Sequence, residues 1–164
     1  MESILKSEKD IQLIIFDINH VEYGISIDHV VEIVKLQPVI ALPQGPSFIK
    51  GVINLRGKVI PIMDLRERFN VVSIRNTRQT GILIIDIEGK EVGLIVDRVI
   101  DVRVMALDNI KPTLPVMDGI KMQYVKGIAK YNDKLVIILN IQNVLSSEEK
   151  IFLQDTTIYE KPSG

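Results

Sequence analysis

Few residues in this 164-residue chain carry the functional groups of catalysis, and none is spaced for it. The two histidines are His20 and His29. Neither has a second histidine four positions on, the spacing that would put two imidazoles on one helix face for a metal. Cysteine is absent, which removes thiolate ligands, thiol nucleophiles and disulfides together and fits a reducing compartment. No HExxH or GxSxG pattern occurs. The run GVINLRGK (51–58) resembles a phosphate-binding loop only in part. That loop has four residues between its glycines and a hydroxyl residue after the lysine, to hold magnesium. Here five residues separate Gly51 from Gly57, and Val59 follows Lys58. Asp97 and Asp101 lie four apart but in a strand-like segment, and they read as turn caps and solvated carboxylates. No catalytic residue, metal ligand or cofactor is expected, and no enzyme activity.

Charge and composition narrow the classes further. Twenty Lys and Arg against 21 Asp and Glu give a net charge of −1, so no long-range field draws in nucleic acid or anionic lipid. Aromatic residues are 5% and tryptophan is absent, a poor supply of stacking platforms for single strands. No apolar run approaches the roughly 20 residues of a membrane helix, and the opening MESILKSEKD lacks the apolar core of a signal peptide. The expectation is a cytoplasmic protein without direct membrane insertion. There are 28 Ile and 18 Val against only 3 Ala. Branching at Cβ restricts χ1 in helices and suits a pleated surface, so the bias favours strands.

The elements that would position any site come in duplicate. DINHVEYGISIDHVVEIV (17–34) aligns without gaps on DIEGKEVGLIVDRVIDVR (86–103), bringing Asp17 onto Asp86, Glu22 onto Glu91, Gly24 onto Gly93 and Val30 onto Val99. FIKGVINLRGKVIPIMDLRERF (48–69) then aligns on YVKGIAKYNDKLVIILNIQNVL (124–145), with Gly51 on Gly127 and Lys58 on Lys134. Two matches in the same order mark an internal repeat. The second copy is longer between its halves, where KPTLPVMDG marks a loop. The expected domains are an N-terminal tail (1–10), a first β-barrel subdomain (11–78), a second (79–146) and a C-terminal helical end and tail (147–164). SIRNTRQT (73–80) is the expected linker.

Within each copy, short strands flank turns at Ile18, Asn19 and His20, at Arg56-Gly57, at Glu88-Gly89-Lys90 and at Asn132-Asp133, with Gly57 available for positive φ. Asp28 could cap a short helix over 28–34, LRERF could form a helical turn, and 141–153 a terminal helix. Short strands with glycine turns and no alternating long helices predict a mainly β protein of two small five-stranded SH3-like barrels. Each half, at about 65 residues, would be marginal alone and should share an apolar interface with the other. Apolar edges and grooves of such barrels suit binding to other proteins.

YGISIDHVVEI (23–33) and PQGPSFIKGVINLRGKVIPIMDLRERF (43–69), with GLIVDRVIDV (93–102) and YVKGIAKYNDKLVIILNI (124–141) in the second copy, closely resemble the CheW family of bacterial chemotaxis coupling proteins. The resemblance spans about residues 10–150. It implies a non-catalytic adaptor that binds the cytoplasmic tips of chemoreceptors and the regulatory domain of the histidine kinase CheA, and is recruited to membrane receptor arrays through them. Carried over residue by residue, it implies receptor contacts at Val30, Glu32, Arg56, Val99 and Val102. It implies kinase contacts on an exposed edge of the first barrel at Thr80, Gly81 and Ile82, and on a loop from Lys111 to Val116, where Leu114 and Val116 stand without the aromatic of relatives. A CheW-like scaffold of a non-motility system is the alternative, and a single-strand nucleic-acid binder a further one.

Overall fold

The computed structural model describes residues 9–43, 45–111 and 122–154. The chain is mainly β. Among the described residues its strands form two sheets, one of six strands and one of five. The first copy supplies β1 (Asp10–Ile18), β2 (Val21–Ser26), β3 (Val30–Lys35), β4 (Gly51–Leu55), β5 (Lys58–Asp64) and the short helix α1 (Leu65–Arg68). The second supplies β6 (Gly81–Ile87), β7 (Lys90–Val96), β8 (Arg98–Ala106), the two-residue β9 (Ile110–Lys111), β10 (Val125–Tyr131), β11 (Lys134–Leu139) and helices α2 (Ile141–Val144) and α3 (Ser147–Gln154). The sheets curl into two SH3-like barrels. The turn residues Asn19, His20, Arg56, Glu88, Asn132 and Asp133 all have positive φ, as do Gly57 and Gly89. That backbone twist matches the twist of the paired strands it joins.

The apolar strands are buried on two faces, which is why IQLIIF and GILIIDI read as continuous runs and not as alternations. Leu13 and Ile15 of β1 fill one barrel with Met105, Val136 and Ile138. Ile82 and Ile84 of β6 fill the other with Ile53, Ile60, Ile62 and Ile95. The intervening residues Ile14, Phe16, Ile18, Leu83, Ile85 and Ile87 meet in a large shared core between them. Phe16, Tyr23, Phe69 and Tyr124 run through that core as a chain of ring contacts.

The division at residue 78 does not hold for the sheets. β1 and β2 leave their own copy and pair with β8 and β11, while β3 pairs with β6, and β5, with β4 beyond it, pairs with β7. Two parallel junctions make the exchange: β11 lies along β2, with Ile138 opposite Gly24, and β5 lies along β7, with Ile62 opposite Gly93. These pairs are each other's repeat equivalents, so each half lends its first hairpin to the other half's second. A Cβ at Gly93 would stand 2.5 Å from Ile62 Cδ1, so the tight approach of the strands needs glycine.

Two local expectations also change. Residues 28–34 form no α-helix. A single 3-10 turn, Ile27–His29, is capped by Ser26 and not by Asp28: the Ser26 hydroxyl accepts the Asp28 N–H at 3.3 Å. β3 follows at once because its β-branched residues alternate, half-buried then exposed, along the strand. The terminal helix is two pieces, α2 and α3, each shorter than the expected run.

Candidate interaction surfaces

β3 pairs only with β6, and β8 only with β1, among the described residues. Both are therefore edge strands, and they are repeat equivalents. Each exposes apolar side chains: Val31 (47%) and Ile33 (45%) on β3, Val102 (49%) and Val104 (51%) on β8. An edge strand with uncovered apolar residues is an adhesive surface that natural proteins usually blunt.

Of the expected receptor residues, Val30 and Glu32 fall on β3, Val99 and Val102 on β8, and Arg56 in the β4–β5 turn. Glu32 sits on β3, and its carboxylate accepts from the Arg56 guanidinium at the β4–β5 turn. Arg56 is at φ 53°, and the Asn54 side chain accepts the Gly57 N–H at 2.9 Å to fix the turn. Arg56 is 69% exposed and Glu32 30%, so the pair contributes only about 0–1 kcal/mol to the fold and leaves the guanidinium's outer face open. Val102 is exposed, whereas Val30 and Val99 are half-buried against the shared core. Glu32, Arg56 and Val30 belong to one sheet, Val99 and Val102 to the other.

The expectation of an exposed kinase edge at Thr80, Gly81 and Ile82 is corrected by the structure. β6 runs inside its sheet, with β3 on one side and β7 on the other, and all three residues are buried. Ile82 points into the first barrel, and the Thr80 hydroxyl accepts the Thr77 N–H at 2.8 Å. β3 covers this edge because its register continues to Lys35 opposite Gly81. Lys111 is exposed on β9, its ammonium donating to the Asp108 carbonyl. Leu114 and Val116 lie outside the described residues.

Two charged clusters escaped the sequence reading. Arg66, 2% exposed, is the largest fully buried side chain among the described residues. Its guanidinium donates to both oxygens of Asp64 (2.9 and 3.0 Å), to Asp97 Oδ1 (3.2 Å), to the Arg75 carbonyl (3.1 Å) and to Asn76 Oδ1 (2.8 Å). Asp64 also caps α1 by accepting the Arg66 N–H, and Asp97 Oδ2 accepts the Asn19 N–H at 2.7 Å. Burial works against the charge on Arg66, but Asp64 and Asp97 outweigh it and keep the guanidinium firmly protonated. The second cluster ties α1 to α3: Arg68 donates through two nitrogens to Glu149 at 3.0 and 2.9 Å. Burial opposes ionisation of Glu149, yet Arg68 and the Ser146 backbone N–H hold its carboxyl below the usual carboxylate range. The signal for both lay in DLRERF, where an aspartate precedes a helical turn by the N-cap spacing. Charge alternation hid which arginine turns inward.

No group of three or more metal-ligating side chains is assembled among the described residues, nor is any helix there long and apolar enough to cross a membrane. Two small barrels sharing one core, with apolar edge strands and an exposed ion pair beside them, define an interaction scaffold.

Comparison with known proteins gives that class a family. The family model for the CheW-like domain matches residues 12–149. The chain is 31% identical over 147 residues to the chemotaxis protein CheW of Treponema pallidum, covering 87% of this chain and 86% of the relative. It is 35% identical over 137 residues to the chemotaxis protein CheW of Bacillus subtilis, covering 84% and 88%. The crystal structure of the scaffolding protein TtCheW from Thermoanaerobacter tengcongensis superposes with a TM-score of 0.78 at 34% identity, over 88% of this chain and 94% of that one. The chain belongs to the CheW-like family and is a chemotaxis adaptor, a scaffold without catalysis of its own.

Proposed function

We propose that this adaptor couples the cytoplasmic tips of chemoreceptors to the regulatory domain of a CheA-type histidine kinase, and that these partners recruit it to membrane arrays. The observation that carries the reading is the pair of repeat-equivalent edge strands, β3 and β8, left uncovered with apolar residues outward and Glu32–Arg56 beside the first. A receptor tip, a helical hairpin with an apolar face, would lay that face on Val102 and the half-buried Val30 and Val99, with Arg56 meeting an acceptor on the tip. The kinase domain would meet Lys111 and the loop after it, Val116 included. Thr80, Gly81 and Ile82 drop out as side-chain contacts, since β3 and the barrel interior enclose them.

The test is calorimetric titration of the full chain with a soluble receptor-tip fragment and, separately, with the kinase regulatory domain. Binding in the micromolar range or tighter to both is expected. Arg56→Ala should weaken the tip complex at least about 30-fold, because losing one partner of a desolvated interfacial charge pair costs about 2–5 kcal/mol, while kinase binding and the fold stay unchanged. Unchanged tip affinity in the folded variant would overturn the receptor assignment.

A further inference from the structure

We infer that Arg66 is a positioning residue that fixes the angle between the two barrels. Its position is singular. α1 follows β5 of the first barrel, and from there the guanidinium reaches Asp97, the one residue between β7 of the first barrel and β8 of the second. Asp97 passes the link on through its other oxygen to the N–H of Asn19, in the β1–β2 turn of the second barrel. The Asp97 N–H completes the connection by donating to the Asp17 carbonyl at 3.1 Å. On its other side Arg66 holds the linker, through the Arg75 carbonyl and Asn76. Three pieces of chain that a hinge would have to move therefore converge on one planar cation.

The planarity matters. A guanidinium directs its N–H groups along fixed directions in one plane, so bonds to Asp64 and Asp97 together set an orientation and not merely a distance. The core between the barrels is apolar. Apolar contact resists separation but is non-directional, so it leaves rotation of one barrel over the other comparatively free. The charged fork supplies the missing direction. Under the proposed function, on which this clause rests, the angle sets how Val99 and Val102 on one sheet stand relative to Glu32 and Arg56 on the other.

The chain has no cysteine, so spin labels can be placed on Lys35→Cys in β3 and Lys126→Cys in β10, both exposed and on different barrels. Pulsed electron–electron distance measurement on the full chain should give one narrow distance. Asp97→Asn leaves Arg66 its bonds to Asp64 and Asn76 and so should fold, yet the single distance should be lost to a broad distribution. Arg66→Lys, which keeps the charge without the fork, should behave likewise. Ile84→Val, a comparable loss of stability inside the first barrel, should leave the narrow distance intact. A narrow, unshifted distance in folded Asp97→Asn and Arg66→Lys would overturn the inference, as would equal broadening in Ile84→Val. None of these readings involves a receptor or kinase, so failure of the proposed partners would leave the outcome decisive.

Discussion

In the repeat, Arg66 of the first half corresponds to Gln142 of the second, Asp64 to Asn140, and Asp97 to Asp28. The first set forms the buried cluster that joins the barrels. The second set does nothing comparable: Asn140 makes no side-chain cap to α2, and Asp28 is exposed. What spans the molecule on that side is α3. It leaves the second barrel and lies across the first, with Arg68 on Glu149, Phe152 edge-on to Phe48, and Gln154 donating to the Glu88 carbonyl. One joint is thus an ionic weld and the other a helical strap. A duplicated fold keeps its shared apolar core by symmetry, but the polar parts that join its halves are built differently on the two sides.

The comparison breaks most visibly at its centre. Arg66→Met strands Asp64, 5% exposed, without its cation, and should cost about 3–5 kcal/mol in urea unfolding. The equivalent Gln142→Met should cost less than about 0.5 kcal/mol; similar losses at both sites would erase the contrast. Next come the two parallel junctions. Gly93→Ala must push aside Ile62 and Ile82, at 2.5 and 2.8 Å, and should lose about 1–3 kcal/mol by overpacking. Gly24→Ala meets nothing nearer than 3.2 Å and should lose clearly less, which thermal unfolding of the two variants would rank.

The strap should show itself in acid. Because the folded-state pKa of Glu149 is depressed, its pairing with Arg68 stabilises the fold above the unfolded carboxylate value, about 4.3, and is lost as pH falls through the lower folded value. Glu149→Gln should therefore cost roughly 1 kcal/mol at neutral pH and converge on the parent only as pH falls through the lowered folded value of Glu149, measured by urea midpoints across pH. The smallest effect sharpens the symmetry. Lys58 reaches Glu91 at 3.5 Å and the equivalent Lys134 reaches Glu22 at 3.8 Å. Both lysines are exposed, so either alanine variant should shift stability by under about 0.5 kcal/mol.

Much of this architecture could be read from the residues. The hairpins were legible because each turn carries Gly or Asn where φ is positive, and the repeat because Gly24 and Gly93, or Gly51 and Gly127, stand at equivalent positions. At Gly51 a Cβ would stand 2.2 Å from the Ile40 carbonyl oxygen, and at Gly127 2.8 Å from that of Lys111. The exchange of hairpins was not legible. Pairing between distant strands is set by which apolar faces meet in three dimensions, and Gly24 opposite Ile138 looks no different in sequence from Gly24 opposite Ile62. Nor was the burial of Thr80, Gly81 and Ile82. A linker's end reads as surface until β3 is known to lie over it. Glu32 and Arg56 were named from resemblance, and their ion pair joins residues 24 apart that only the barrel's closure brings together.

The reciprocal loan of hairpins has a consequence for synthesis. As the chain leaves the ribosome, β1 and β2 emerge first, but their neighbours β8 and β11 end at residues 106 and 139. The β1–β2 hairpin has both of its edges covered only once residue 139 has been reached. Such non-local pairing slows folding, because loop closure is paid for before the contacts return it. The first barrel completes sooner, once β7 has emerged at residue 96. Chain order thus separates two halves that the repeat makes alike: the strands of one barrel are complete by residue 96, and those of the other only at residue 139.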